Sequence, residues 1–223
     1  MRSATATCFG WHSRCTHRKL FGLVAFHNRR RRLRRRRTDL PRTIVPKQRS
    51  RLLSSSRVFT GKVFSVRRDR VQEPGGIVVS RDIVVHPGSV VVMPVFPDGK
   101  LLLIRQYRHT AQDFLWELVA GRVDEGESPL DAAHRELAEE TGYTARRLKK
   151  LLEIFPSPGF VAEMMWIFAA TGLTAGVATP EEDERIEARR FSLREAERMI
   201  RNGQLRDAKS IAGILYYSRF MKR

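Results

Sequence analysis

The chain has 223 residues, of which 42% are hydrophobic, and this suits one domain of ordinary size with a packed core. No apolar run approaches the roughly 18 residues that a membrane-crossing helix needs. The only cysteines are Cys8 and Cys15, which excludes a disulfide framework in the folded part and favours a cytoplasmic protein. The net charge of +18 is uneven, because residues 1–50 hold 15 of the 42 basic residues and one of the 24 acids.

Residues 1–50 are predicted to be a basic, disordered tail. Eight of the nine residues in 29–37 are arginines, whose mutual repulsion opposes a compact state. Three interpretations of the tail stay open: an organellar transit peptide, a contact for RNA or a membrane surface, and translated sequence upstream of the true start. The folded domain is predicted at residues 51–223, and we expect the tail to be dispensable.

Short strands are predicted in the first half of the domain. The first lie in "SRVFTGKVFSVRRDRV", residues 56–71, where valine and phenylalanine recur. Further β-branched and aliphatic runs are "GGIVVSRDIVVHPG", "SVVVMPVFPDGK" and "LLLIRQYRH". Pro97-Asp98-Gly99 has the chemistry of a hairpin turn, and another strand is expected to run through "FLWELVAG" to Gly121.

A helix is predicted next, after which strands and helices follow. Ser128 can cap this helix, Pro129 suits its first position and Gly142 suits its end. Two strands are expected, "KKLLEIF" and "MMWIFAATGL", and "TPEEDERIE" is then an acidic loop. Ser192 and Glu195 have capping-box spacing for a second helix, and "DAKSIAGILYYSRF" is a third. This order predicts a mixed α/β or α+β domain.

The first predicted helix concentrates negative charge. At about 100° per residue, the expected buried stripe is Leu130, Ala133 and Leu137, and the glutamates that border it are Glu136, Glu139 and Glu140. Glu136 and Glu140 face each other, so their charges repel. A solvated helix face is the ordinary interpretation. The alternative is a site for Mg²⁺ or Mn²⁺, which binds carboxylates and shares phosphate oxygens of a substrate.

The spacing of the charged residues and glycines favours the cation site. The positions that fit G-x5-E-x7-R-E-U-x-E-E-x-G-U, with U a bulky apolar residue, are Gly121, Glu127, Arg135, Glu136, Glu139, Glu140 and Gly142. Such a match arises by chance roughly once in 10⁸ starting points. The pattern is the Nudix box, and the chain resembles the Nudix hydrolases. Leu137 fills the first U, and Tyr143 fills the second, where aliphatic residues are commoner.

This resemblance implies a fold, a chemistry and roles for individual residues. The fold would be an α/β (α+β) domain, a mixed-sheet α/β/α sandwich with an N-terminal antiparallel sheet. The family hydrolyses nucleoside diphosphates linked to another group and uses Mg²⁺ or Mn²⁺. The implied metal ligands are Glu136, Glu140 and the backbone carbonyl of Ala120, Glu139 would ligate a metal or orient its water, and the structural residues are Gly121, Glu127, Arg135 and Gly142.

Flanking segments resemble the ADP-ribose pyrophosphatase subgroup. Pro158 within "PSPGF" lies at the spacing associated with that subgroup, and "IRQYRH", "WELVAGRVDEGE" and "RDAKSIAGILYY" are also similar. Val119 stands where many relatives have proline. The acidic loop would position the attacking water through Glu182 and supply a further metal ligand, Glu184. The remaining predicted substrate contacts are Arg108 as a phosphate clamp, Glu117 at the adenine or ribose, Pro158, and Glu163 at the sugar or metal region.

The expected activity is Mg²⁺-dependent hydrolysis of ADP-ribose to AMP and ribose 5-phosphate. Another nucleoside diphosphate sugar, such as GDP-mannose, is the alternative substrate. A nucleic-acid-binding protein that uses the arginine run is a different-class alternative, but the tail lacks interleaved aromatics and the domain lacks a basic excess. A scaffold that only binds ligand is disfavoured because no box acid is missing. The subgroup resemblance also implies a homodimer, with its N-terminal strands, within residues 51–86, in the contact.

Overall fold

The computed structural model describes residues 49–180 and 185–221. The strands are β1 Arg51–Thr60, β2 Ser65–Gln72, β3 Val78–Val85, β4 Ser89–Pro94, β5 Lys100–Arg108, β6 Asp113–Glu117, β7 Val119–Arg122, β8 Tyr143–Ile154, β9 Val161–Ala162, β10 Met165–Ala175 and β11 Glu187–Ser192. The helices are α1 Pro129–Thr141, α2 Leu193–Arg201 and α3 Ala208–Phe220, and a short 3₁₀ turn is His109–Ala111.

The N-terminal sheet has the strand order β1-β2-β3-β9. Strands β1, β2 and β3 are antiparallel, as predicted, and the two-residue β9 adds in parallel to β3. Strand β1 begins at Arg51, upstream of the start expected near Ser56, and it is exposed along its whole length. Leu52, Val58 and Phe59 on this strand are more than half exposed.

The central sheet carries the core on both faces. Its order is β7-β4-β10-β8, in which β4 and β10 are parallel and the other pairs are antiparallel. Because side chains alternate along a strand, Val91 of β4 joins a cluster with Ile214 of α3, whereas Val90 joins one with Leu137 of α1. All four side chains are fully buried. Helices therefore cover both faces, which confirms the predicted mixed-sheet α/β/α sandwich.

The third sheet, β11-β5-β6, corrects one expectation. The segment "FLWELVAG" was expected to form one strand, but the chain leaves β5 after Glu117 and pairs with β4 from Val119 onward. The strands separate at Leu118, whose backbone N–H donates to the Ser210 hydroxyl of α3 at 2.7 Å. A side chain from a distant helix thus satisfies the amide that would otherwise need a strand partner. The turn at residues 97–99 forms as predicted, with the Gly99 N–H donating to the Phe96 carbonyl.

The ends of α1 match the sequence prediction, but its buried stripe does not. The Ser128 hydroxyl accepts from the Asp131 N–H, and Gly142 ends the helix with a φ of 72°. Leu130 was expected to be buried and is 46% exposed, because the part of α1 that packs on the sheet begins at Ala132. The predicted capping box of Ser192 and Glu195 forms at α2. Among the helices of the described ranges, none has the length and apolar character to cross a membrane.

Candidate active site

Arg135 of α1 holds the acidic residues of the box together. Its guanidinium donates to both carboxylate oxygens of Glu127, each at 3.0 Å, and to the Arg122 carbonyl at 2.9 Å. Its Nη1 donates to Glu136 at 2.7 Å and to Glu139 at 3.0 Å. These bonds, first the one with Glu127, raise the pKa of Arg135 and lower that of Glu127. The Arg135–Glu127 pair predicted from the sequence is therefore present.

Gly121 leaves room for the carboxylate of Glu136. A Cβ atom at position 121 would lie 1.9 Å from the Glu136 carboxyl carbon and 2.0 Å from one of its oxygens. Real Cβ contacts are never this short, so a side chain at this position would displace Glu136. Strand β7 and helix α1 thus form a cradle, because the glycine lets the carboxylate lie directly against the strand backbone.

Glu140 is the most deeply placed acid of the box. Its side chain lies in the buried face of α1, with only 4% of the residue exposed. The Ala120 N–H donates to its Oε2 at 3.3 Å, so the carboxylate lies beside the backbone of β7. The Ala120 carbonyl belongs to the same short strand. The predicted metal ligands Glu136, Glu140 and Ala120 therefore meet along one side of β7.

The donor set suits a hard divalent cation in its chemistry. Carboxylate and carbonyl oxygens are the ligands that Mg²⁺ and Mn²⁺ take, and the glycine cradle brings one carboxylate against the strand. Within residues 49–180 and 185–221, the carboxylates are not arranged as a ready cluster of three or more ligands. Arg135 lies among these carboxylates, and its Nη1 donates to one oxygen of Glu136 and to one of Glu139.

The segment that leads to the acidic loop is fastened beside α1. The Thr179 N–H donates to the backbone carbonyl of Glu139 at 2.9 Å. A Cβ at Gly142 would lie 2.7 Å from the Ala178 nitrogen, so the helix end and this segment touch closely. After the loop, Ile186 packs against the cluster that contains α1. Glu182 and Glu184, the predicted water-positioning and ligating residues, lie outside the described residues.

A cleft with two adjoining parts runs past the box. The acidic part, about 740 Å³, includes Glu136, Glu139 and Thr179 among its walls. The apolar part, about 550 Å³, includes Phe155 and Met165. Both parts are also lined by Arg108, Ala120, Gly121 and Arg122. With a cation bound to the acids, such a cleft can hold an anionic group there and a less polar group in the adjoining part.

Arg108 and Lys209 meet at one buried carboxylate in the apolar part. Arg108 donates from Nε and Nη2 to the two oxygens of Glu117, at 2.8 and 2.9 Å, and Lys209 donates to the same carboxylate. Glu117 is 1% exposed. Burial alone would raise the pKa of Glu117, but the hydrogen bonds from Arg108 and Lys209 outweigh it and lower that pKa. Glu117, a predicted substrate contact, thus has two cations of its own chain as partners.

Two other predicted substrate contacts, Glu163 and Pro158, are not among the residues that line the two parts of the cleft. Glu163 accepts a hydrogen bond from the Ser89 hydroxyl at 2.6 Å and lies 3.5 Å from His86 Nδ1. Ser89 itself lines the apolar part, so Glu163 is one hydrogen bond away from its lining. Pro158 lines a separate pocket of about 460 Å³, which shares Phe155 with the apolar part.

Several lining residues of the cleft were not singled out from the sequence, among them Lys209, Ser89 and Arg122. Lys209 follows the helix cap Asp207, and its ammonium lies 2.9 Å from that carboxylate as well as next to Glu117. The sequence can identify Asp207 as the start of a helix, but no neighbouring residue indicates a contact with Glu117. The contact depends on the start of α3 lying beside the end of β6, where Ser210 also bonds to Leu118, and only the fold provides this.

Comparison with known proteins identifies the family. The model of the NUDIX domain matches residues 85–213, which include the whole box. An ADP-ribose pyrophosphatase of Bacillus subtilis (strain 168) is 36% identical over 166 residues, which cover 74% of this chain and 90% of that protein. An ADP-ribose pyrophosphatase of Mycobacterium tuberculosis (strain ATCC 25618 / H37Rv) is 38% identical over 167 residues, covering 73% and 80%.

A second kind of relative and a solved structure complete the comparison. A GDP-mannose pyrophosphatase of Yersinia enterocolitica is 35% identical over 138 residues, covering 58% of this chain and 72% of that protein. The structure described as an ADP compounds hydrolase superposes with a TM-score of 0.68 at 23% identity, covering 78% of this chain and 95% of that one, which shows a common fold. The domain match, the relatives and the geometry of the box together show that the chain belongs to the Nudix family.

Proposed function

We propose that this protein is a divalent-metal-dependent pyrophosphatase that hydrolyses ADP-ribose to AMP and ribose 5-phosphate. The observation that carries the proposal is the complete box, in which Arg135 fixes Glu127, Glu136 and Glu139 and Gly121 leaves room for Glu136. The relatives that cover most of the chain and act on ADP-ribose support this substrate.

Four groups of this chain would hold the metal, Mg²⁺ or Mn²⁺. They are the carboxylates of Glu136 and Glu140, the Ala120 carbonyl and, from the acidic loop, Glu184. When bound, the metal neutralises phosphate oxygens and lowers the pKa of a coordinated water. Arg135 would keep its hold on Glu127 when the metal is bound, because those two bonds use Nε and Nη2.

Glu139 and Glu182 are the proposed catalytic residues. The side chain of Glu139 is 42% exposed to the cleft and one oxygen is held by Arg135, so the other can accept from a water molecule. Glu182 would take the proton of the attacking water. Thr179, whose N–H donates to the Glu139 carbonyl, is three residues before Glu182 in the chain, which supports this role.

Arg108 is the proposed clamp for the diphosphate. Glu117 engages its Nε and Nη2, which fixes the plane of the guanidinium and leaves Nη1 for a phosphate oxygen. We therefore favour a positioning role for Glu117, which would hold Arg108 and Lys209 in the cleft. Contacts of the substrate with Pro158 and Glu163 stay predictions.

GDP-mannose is the second candidate substrate. The Yersinia enterocolitica relative that acts on it is similar over the box and the flanking strands, although it covers less of the chain. The same acids and Arg108 would serve either diphosphate, because the sugar and the base lie outside the reacting bond. The residues that distinguish adenine from guanine decide between the two.

We also propose that the protein is a homodimer, located in the cytoplasm, whose contact includes strands within residues 51–86. Strand β1 supports the dimer because it is exposed along its whole length and carries Leu52, Val58 and Phe59. Within the described ranges no strand pairs with its outer edge, so the backbone groups there could bond to a second chain.

The metal assignment is tested by replacing Glu140 with Gln. A neutral amide binds a hard cation poorly, so kcat should fall by about 10³-fold or more, as for loss of a strong electrostatic contact in an active site. Titration with Mn²⁺ should show weaker binding by Glu140→Gln. The matched control is Glu197→Gln on α2, where an amide can still bond to Ser218. Near-normal turnover of folded Glu140→Gln at saturating Mg²⁺ would exclude Glu140 as a ligand.

A further inference from the structure

The sheet β11-β5-β6 has a second pocket on the face opposite the cleft. Trp116 and Glu117 are consecutive residues of β6, so their side chains project from opposite faces. Glu117 meets Arg108 and Lys209 at the cleft, whereas Trp116 lies at the rim where α2 covers the sheet. A pocket of about 230 Å³ lies at that rim, and its lining includes Trp116, Phe191, Arg189, Arg198, Glu195 and Gln204.

One wall of this rim pocket is aromatic. Trp116 of β6 and Phe191 of β11 reach across the intervening β5, and their ring centroids lie 5.0 Å apart at an interplanar angle of 79°. Both rings are half-buried, so each keeps part of its surface in the solvent. Planar rings of this kind are the usual partners of nucleobases and other flat aromatic groups.

The second feature of the rim pocket is a pair of arginines from different elements. Arg189 comes from β11 and Arg198 from α2, and both are exposed. Neither forms an ion pair with an acid of residues 49–180 or 185–221, and the Arg189 guanidinium lies over the Phe191 ring, 5.3 Å from its centroid. Two like charges at one small pocket repel, and an anion placed between them removes that repulsion.

Among the described residues, the carboxylate that lines the rim pocket is Glu195, and one of its oxygens belongs to the cap of α2. Glu195 accepts from the Ser192 N–H and from the Ser192 hydroxyl, each at 2.7 Å, as part of the cap of α2. These bonds, and more weakly the nearby Arg198 and Arg189, lower the pKa of Glu195. The described lining therefore has two guanidinium groups against one carboxylate, and one oxygen of that carboxylate bonds to the helix cap.

We propose that the rim pocket binds a phosphate monoester carried on a planar ring, that is, a nucleoside monophosphate. Arg189 and Arg198 would bind the phosphate, since guanidinium groups match phosphate oxygens with paired N–H bonds. The Trp116 and Phe191 wall would contact the base, and the Gln204 amide offers hydrogen bonds to its edge. A volume of about 230 Å³ is small for a whole ligand site, so it suits part of one nucleotide and not a dinucleotide-sized substrate.

The neighbouring surface distinguishes two sources of such a nucleotide. Arg105 lies 5.2 Å from the Phe114 ring centroid and 6.0 Å from that of Trp116, and Phe114 in turn contacts Tyr107. This strip of exposed rings and an arginine continues from the rim pocket along the sheet. A free mononucleotide would use the pocket alone, whereas the end of a single strand would also lie on the strip.

The experiment is calorimetric titration of the full chain in EDTA, which removes divalent metals from the cleft. The ligands are AMP, adenosine, inorganic phosphate and a 5′-phosphorylated strand of five adenosines. AMP should bind more tightly than phosphate or adenosine. Arg189→Gln and Arg198→Gln should each weaken AMP binding by about tenfold, the usual scale for losing a charge-assisted hydrogen bond. Trp116→Ala should reduce the affinity for AMP to that for phosphate.

The matched control is Arg201→Gln, which makes the same charge change on α2 at an exposed residue outside the pocket. It should leave AMP binding unchanged.

Unchanged affinity in both Arg189→Gln and Arg198→Gln, or binding that Arg108→Gln alone abolishes, would overturn the proposal. Phosphate that binds as tightly as AMP would refute the role of the aromatic wall. If the five-nucleotide strand binds more tightly than AMP, and Phe114→Ala removes that difference, the natural ligand is the end of a single strand. If the strand and AMP bind with equal affinity, the natural ligand is a free nucleotide.

Discussion

Arginine side chains organise both parts of the cleft, and the sequence predicted one of the two arrangements. Arg135 and Glu127 belong to one contiguous motif, so their pairing could be read from spacing. Glu117 and Lys209 are separated by 92 residues. Their contact arises because the start of α3 lies beside the end of β6, and no local pattern carries that information. The substrate role of Glu117 was predicted from the resemblance of its segment to the subgroup. That resemblance does not reveal that Glu117 is only 1% exposed.

We expect the buried carboxylate of Glu117 to make the stability of the protein depend on pH. Its pKa is lowered in the folded state, so ionised Glu117 contributes stability above the ordinary carboxyl pKa, and this is lost as the pH falls through the folded-state pKa. Glu117→Gln should lower the free energy of unfolding at pH 7 by about 3 kcal/mol, because Arg108 and Lys209 lose their buried partner. Below about pH 4, the free energy of unfolding of Glu117→Gln should also fall less steeply with pH than that of the unmodified protein.

The measurement is urea unfolding at a series of pH values between neutrality and the acid limit of folding. Glu153→Gln is the control, because Glu153 pairs with Lys150 on the surface and should change stability by less than about 0.5 kcal/mol. An acid dependence in Glu117→Gln as steep as that of the unmodified protein would contradict the assignment.

At the level of elements, local signals predicted the helix ends, and tertiary contacts decided where the strands break. The caps Ser128, Gly142 and Ser192 act on backbone groups within a few residues, so their chemistry is visible in the sequence. The break at Leu118 depends on Ser210 of α3 and could not be read locally. Leu130 was misplaced because helical periodicity gives the direction of a side chain but not where the sheet below begins.

The acidic loop is the element on which the proposed water activation depends. If Glu182 takes the proton of the attacking water, Glu182→Gln should lower kcat by roughly 10²–10⁴-fold, the range for general base catalysis. Its affinity for Mn²⁺ should change little, whereas Glu184→Gln should weaken metal binding. Steady-state kinetics and Mn²⁺ titration measure the two effects. If Glu182→Gln leaves kcat nearly unchanged and Glu184→Gln lowers it strongly, the catalytic role belongs to Glu184. The control is Glu125→Gln, because Glu125 is exposed.

For the whole molecule, the concentration of basic residues in residues 1–50 predicts that this N-terminal tail is dispensable. Residues 1–48 lie outside the described residues, and β1 begins at Arg51. A chain of residues 49–223 should fold, form a dimer and match the full chain in kcat and KM, because it keeps the box, the cleft and the exposed strand β1. Light scattering and steady-state kinetics check this. Loss of folding or of activity on truncation would make the tail part of the enzyme.

Family membership and the layered fold were readable from the sequence because the box is contiguous and hydrophobic runs mark the strands. The substrate was not, because the base and sugar are recognised by residues that meet only in the folded protein. The most direct test is to compare kcat/KM with Mg²⁺ for ADP-ribose, GDP-mannose, NADH, diadenosine polyphosphates and nucleoside triphosphates, and to identify the products. ADP-ribose should have the highest kcat/KM and yield AMP and ribose 5-phosphate in equal amounts. A higher kcat/KM for any competitor, or other products from ADP-ribose, would contradict the proposed function.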